Sequence, residues 1–123
     1  MGTFAYSIVL SCLDRTRSET VDALVDTGST YTWIPTPILE RLGVEPTGRR
    51  RLQMANGDII ERETGQVLVT AENETVATIC IFGDPNSQAL LGAVTLEELG
   101  MAPDPLQRRL VQVVGYLMVA GRA

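Results

Sequence analysis

The stretch "ALVDTGST", residues 23–30, decides how this chain is read. An apolar run ends abruptly on a carboxylate, Asp26, and Thr27, Gly28 and Ser29 follow at once. Small residues directly after a short strand signal a sharp turn, because Gly tolerates backbone conformations that others resist and Asp, Ser and Thr bond to nearby backbone. Asp26 is therefore expected at the rim of a buried strand, "VDALVD", with N–H groups and hydroxyls in reach. On the letters D-T-G alone, an Asx-turn or helix cap that satisfies local donors is the default account.

Working outward, "FAYSIVLSCL" is rich in β-branched and aromatic residues and predicts a strand, ended by the polar "DRTRSET". "TPILERLG" predicts a short helix capped by Thr36, with Pro37 in its first turn and Gly43 at a left-handed exit. Asn56-Gly57 lies between two strand-like arms in "RLQMANGDIIERETG", a strong short-range signal, and a hairpin is expected there. "QVLVTAENETVATICIF" gives two more strands around Glu72 to Glu74, and "GDPNSQ" a loop. In "TLEELG", Thr95 and Glu98 have capping-box spacing and Gly100 can stop the helix. The tail "RRLVQVVGYLMVA" predicts one or two strands broken at Gly115. The expectation is one mostly-β domain over residues 1–123 with two short helices.

Composition removes several kinds of chemistry. There is no histidine, so Ser-His and Cys-His nucleophile pairs and His-containing zinc sites are ruled out. A net charge of -5 argues against a nucleic-acid surface, and the one basic run, Arg49-Arg50-Arg51, is expected as a solvated loop or strand end. Cys12 and Cys80 lack metal spacing and are expected as reduced, buried thiols, a single disulfide being the other reading. No loop has regularly spaced oxygen ligands, so neither metal nor cofactor is expected. No signal-peptide pattern opens the chain, and the apolar run Val113–Ala120 is too short to span a bilayer, which together predict a cytoplasmic protein. The sequon Asn73-Glu74-Thr75 is then read as accidental. Glu61, Glu63, Glu72 and Glu74 read as solvated strand edges, and Trp33 as core.

"ALVDTGST" followed later by "ALLGAVTLEELG" resembles the retropepsin-like aspartic proteases, and most closely their small bacterial and archaeal single-domain members, which carry a similar "LEELG", "DP" and "RL" series. The resemblance implies an acid protease barrel with one D-T-G per chain. It makes Asp26 the catalytic carboxylate, Thr27 a residue whose hydroxyl bonds across a dimer, and Gly28 one whose backbone lies close to substrate. Ser29 and the hairpin tip Ala55, Asn56, Gly57 and Asp58 would touch substrate, the tip serving as a flap. Leu90, Leu91 and Gly92 would pack across the catalytic loop and hold it. It implies further a homodimeric endopeptidase in which a pair of Asp26 carboxylates activates water, its terminal strands pairing between subunits, with a peptide or protein as substrate.

A second reading keeps the fold without catalysis: a peptide-binding or dimerisation domain in which main-chain pairing supplies the affinity. The intact Asp26-Thr27-Gly28 favours the enzyme. The tip favours the binder, because it has a single Gly beside the charged Asp58 where retroviral flaps are Gly-rich.

Overall fold

The structure, a computed structural model, describes residues 3–118. In chain order the elements are β1 (Ala5–Ser11), β2 (Ser18–Val25), β3 (Thr32–Pro35), α1 (Thr36–Leu42), β4 (Gly48–Gln53), β5 (Ile59–Ala71), β6 (Glu74–Gly83), β7 (Leu90–Leu91), α2 (Ala93–Leu99), β8 (Met101–Asp104) and β9 (Arg109–Gln112). Seven strands form one sheet in the order β1-β2-β7-β3-β6-β5-β4, and a further pairing of β1 with β5 closes that sheet on itself. Closure leaves β4 outside the ring, joined only to the first half of β5. β8 and β9 make a separate two-stranded ribbon.

Alternation of side chains along each strand explains the core. Ile8 and Leu10 of β1, Val21, Ala23 and Val25 of β2, and Val67, Val69 and Ala71 of β5 point inward and are buried. Leu39, Leu42, Leu96 and Leu99 bring the apolar stripes of the two helices onto the same cluster. β2 begins earlier than the apolar run predicts, at Ser18, because pairing of Ser18, Glu19 and Thr20 with β1 sets its length more than hydrophobicity does.

The hairpin between β4 and β5 has a three-residue loop, in which the Gly57 N–H donates to the Met54 carbonyl (2.9 Å) and the Met54 N–H to the Asp58 carbonyl (2.8 Å). Only Gly57 takes a positive φ there, of 93°, which is the three-residue geometry and not the two-residue turn that needs positive φ at both positions. That two-residue turn occurs instead at Glu72 (φ 50°) and Asn73 (φ 70°), between β5 and β6. Thr36 is not the cap of α1: Pro35 holds that position, and the Thr36 hydroxyl donates to the Gly83 carbonyl at 2.7 Å. Thr95 is not a cap either, since α2 starts from Gly92 and Thr95 lies buried within it. Both helices do end on left-handed glycines, Gly43 (φ 76°) and Gly100 (φ 70°).

Arg49–Arg51 lie in β4 and are exposed. Both cysteines are free, Cys80 buried and Cys12 half-buried. In the tail the strand stops at Gln112; Val113–Met118 have no regular structure, with Val114, Tyr116, Leu117 and Met118 almost fully exposed. The rest of the expected second strand lies outside the described residues.

Candidate active site

Asp26 leaves the end of β2, and its place is fixed by the strand alongside. β7 runs parallel to β2, with Leu24 opposite Leu90 and Val25 opposite Leu91. The Asp26 N–H donates to the Leu91 carbonyl at 3.0 Å. On its other edge β7 meets β3, Trp33 opposite Leu90. A strand of two residues thus ties both ends of the loop Asp26–Tyr31 into the sheet.

The loop then folds onto its own carboxylate. The Ser29 N–H donates to the Asp26 carbonyl (3.1 Å), closing a tight turn. Asp26 Oδ1 accepts from the Gly28 N–H at 3.0 Å, and the Ser29 hydroxyl donates to Oδ2 at 3.4 Å. The first contact is the Asx-turn bond expected from the letters alone. It leaves the carboxylate half-buried, with Thr27 and Gly28 exposed beside it. Local satisfaction and accessibility coexist, because the turn engages each oxygen from one side only.

Behind the loop stands the start of α2. Its first free N–H groups need acceptors, and the loop supplies them: Ala93 donates to the Ser29 carbonyl (2.8 Å) and Val94 to the Thr30 carbonyl (3.0 Å). Gly92 makes this approach possible. A Cβ there would lie 2.5 Å from both the carbonyl carbon and the oxygen of Tyr31 and 2.9 Å from the Ser29 carbonyl oxygen. Below Gly92 runs a buried chain of hydroxyls. The Gly92 N–H donates to Thr32 Oγ1 at 3.1 Å, Thr32 shares a hydrogen bond with Thr95 (2.6 Å), and Thr95 another with Thr78 (2.9 Å). All three threonines are buried, so each hydroxyl depends on the others.

Of the residues singled out in the sequence, Asp26, Gly28 and Ser29 come together with Leu91 and Gly92. Thr27 sits in the turn and, among the described residues, makes no side-chain hydrogen bond. Leu90 pairs with Leu24 on one side and Trp33 on the other. Ala55, Asn56, Gly57 and Asp58 form the exposed hairpin tip, where Asp58 accepts from Asn56 Nδ2 (3.1 Å) and returns its N–H to Asn56 Oδ1 (2.9 Å). The tip makes no hydrogen bond to the Asp26 loop among the described residues. Hairpin and loop are linked one turn further back, where Arg50 Nη1 donates to the Tyr31 hydroxyl at 3.3 Å. Trp33 is half-buried and donates to Ser87 Oγ at 2.8 Å.

The Thr32–Thr95–Thr78 chain was not foreseen. Its one sequence signal is parity: Thr32 shares the inward phase of Ile34, and a hydroxyl on a buried strand face needs a partner. Among the described residues no group of three His, Cys, Asp or Glu could hold a metal ion. No described helix is long and apolar enough to cross a membrane. A cleft of about 580 Å³ lined by Cys12, Asp14, Arg17, Val44 and Gln66 contains none of the Asp26 constellation.

Comparison with known proteins agrees with this layout. No curated protein matches the chain. Among solved structures, the EIAV protease bound to an inhibitor superposes with a TM-score of 0.60 at 16% identity, over 80% of this chain and 89% of that one. The simian foamy virus (mac) protease gives a TM-score of 0.52 at 16% identity, over 80% and 99%. A retropepsin-like aspartic protease from Rickettsia conorii gives 0.49 at 19% identity, over 90% and 99%. The viral structures carry the same retropepsin-like fold. A family model described as Aspartyl protease matches residues 15–95, more than half of the chain and the whole of the Asp26 loop. The chain belongs to the aspartyl protease family.

Proposed function

We propose that the chain is an aspartic endopeptidase, acting as a homodimer in which two copies of Asp26 activate the hydrolytic water. The observation that carries this reading is Asp26 itself: a carboxylate oriented by Gly28 and Ser29, on a loop pinned by β7 and α2, yet open to solvent on the Thr27–Gly28 side. Orientation from behind with access in front suits a group that works on a bound molecule.

Water attack on a peptide carbonyl needs a base to take the proton from water and an acid to protonate the carbonyl oxygen. One ionised and one protonated carboxylate, sharing a single proton, supply both without a covalent intermediate. Each chain has one such Asp, so the second comes from another copy, and a two-fold axis beside Thr27 and Gly28 brings the two together with one self-complementary surface. Val114, Tyr116, Leu117 and Met118, exposed on a single chain, are the apolar area such an interface would cover. Thr27 bonds across that axis, Gly28 and Ser29 flank the peptide, and the tip Ala55–Asp58 closes over it. Peptide is the substrate, and no cofactor takes part.

The test is digestion of a diverse peptide library, read by mass spectrometry, with wild type and Asp26→Asn. The variant is nearly isosteric and should keep its thermal midpoint within about 3 °C while cleavage disappears. Excess Asp26→Asn mixed with wild type should suppress activity through dimers holding one carboxylate. Undiminished turnover by the variant would refute the catalytic role. An active monomer, with rate proportional to concentration down to the nanomolar range, would refute the dimer.

A further inference from the structure

The hairpin β4–β5 has two chemically different faces. Residues directly opposite on antiparallel strands share a face, and the register pairs Arg49 with Glu63, Arg50 with Arg62, Arg51 with Glu61 and Leu52 with Ile60. One face therefore mixes Arg49 and Arg51 with Glu61 and Glu63, and Arg49 Nε bridges to Glu61 at 3.2 Å. Two charges of each sign balance on that face, although only Arg49 is bridged to the acids.

The other face, turned toward the Asp26 loop, holds two arginines and no acid. Arg62 is paired with Asp84, 3.3 Å away in the loop after β6. Arg50 has no carboxylate partner among the described residues. It lies instead against Tyr31, with Nη1 donating to the phenol oxygen at 3.3 Å and Cζ 5.5 Å from the ring centroid. Tyr31 is half-buried, and its backbone lies against Gly92 at the back of the Asp26 loop. A guanidinium has five N–H donors in a planar fork suited to a carboxylate. One is used by Tyr31, whose ring lies close to the guanidinium without neutralising its charge.

We propose that Arg50, backed by Tyr31, is a specificity-determining residue that selects peptides carrying an Asp or Glu side chain beside the scissile bond. The proposal rests on the peptidase reading above and adds the class of substrate. A peptide lying between hairpin and loop has to pass this pair, and an extended strand offers alternate side chains to the hairpin side. The side chain that meets Arg50 finds a positive fork in a protein whose net charge is -5. An acidic group satisfies it with charge-assisted hydrogen bonds, whereas a Lys or Arg meets repulsion. Part of the attraction is exposed to solvent, so it weakens as salt rises.

The test uses matched peptides around one library sequence, a cleaved one where cleavage occurs and otherwise one that binds Asp26→Asn, each with Glu or Gln at a single position. At one position the Glu peptide should be cut with about tenfold higher kcat/KM at low salt, the ratio falling as ionic strength rises. In R50Q the ratio should approach one, and in R50E the Glu peptide should become the poorer of the two. The same peptides, dye-labelled, are titrated onto Asp26→Asn by fluorescence anisotropy, where Glu should bind about tenfold more tightly than Gln. Cleavage with equal rates for Glu and Gln at every position, or a preference that survives in R50Q, overturns the selector and leaves the peptidase intact. If no peptide is cut but the binding preference appears and is lost when R50Q is added, the selector stands and hydrolysis falls. Equal binding, or none, in the absence of cleavage overturns both.

Discussion

Gly92→Ala adds one methyl group where the fold has no room for it. The new Cβ would stand 2.5 Å from the Tyr31 carbonyl carbon and oxygen, whereas ordinary contact begins near 3.4 Å. Those atoms are backbone, so no rotamer change relieves the clash, and the Asp26 loop and α2 must separate by about an ångström. Two hydrogen bonds cross that gap, Ala93 to Ser29 and Val94 to Thr30. Overpacking costs about 1–3 kcal/mol and each weakened bond about 1 kcal/mol, which together give about 3–5 kcal/mol. For a chain of this size the thermal midpoint should fall by about 10–20 °C. Activity should fall further than stability explains, because the loop that shifts carries Asp26 itself, and an ångström of misplacement costs about 10²-fold in rate. Circular dichroism melts give the first quantity. Peptide cleavage at a temperature where the variant is still folded gives the second. A midpoint within about 3 °C of wild type, together with an unchanged rate, would refute the claim that this contact holds the loop.

Thr95→Val strips the central hydroxyl from the buried chain and leaves Thr78 without its partner, so stability should drop by about 1–3 kcal/mol; Thr95→Ser should recover most of it, and a Val variant that melts like wild type would show the chain to be dispensable. The Asp14 carboxyl is held down to about 2 by hydrogen bonds from the Cys12 thiol and from the Thr16 N–H and hydroxyl, against an ordinary 3.8. Its stabilisation is therefore complete above the ordinary value and lost as pH falls toward about 2, so wild type should lose stability faster than Asp14→Asn across that interval, and parallel acid melts would contradict this. Burial pushes the Cys80 thiol up to about 12. A thiol reagent should thus modify only Cys12 in the native protein and Cys80 after denaturation; two equally fast reactions would refute the burial.

How much of this could be read from the chain follows from which forces are local. The Asp26 turn was legible because Gly28 and Ser29 act within three residues of the carboxylate, and Gly43 and Gly100 mark helix ends by backbone preference alone. Leu90–Gly92 was legible only through family likeness, since nothing local says that two leucines form a strand clamping a distant loop. Thr36 and Thr95 misled for one reason. A threonine before an apolar run looks like a cap, but here Thr36 bonds to β6 and Thr95 to Thr32 and Thr78, partners set by tertiary packing. The Asn56-Gly57 signal found the hairpin, because Gly57 supplies the positive φ that its loop requires. Arg50 was invisible as a candidate within a basic triplet, since only the register of β4 on β5 puts it on the opposite face from Arg49, Arg51 and the two glutamates.

β5 belongs to two assemblies at once: its first half carries β4, and its second half closes the ring between β1 and β6. No residue from Gly48 to Ile59 is buried, so the outer arm contributes almost nothing to the core. Mutational drift in that arm is thereby decoupled from folding. Lineages, or protein engineers, can lengthen, shorten or recharge the hairpin without disturbing the core that positions the Asp26 loop. The fold separates an arm free to vary from a ring that is not, and the hinge of that separation is the passage of one strand through Thr64 and Gly65.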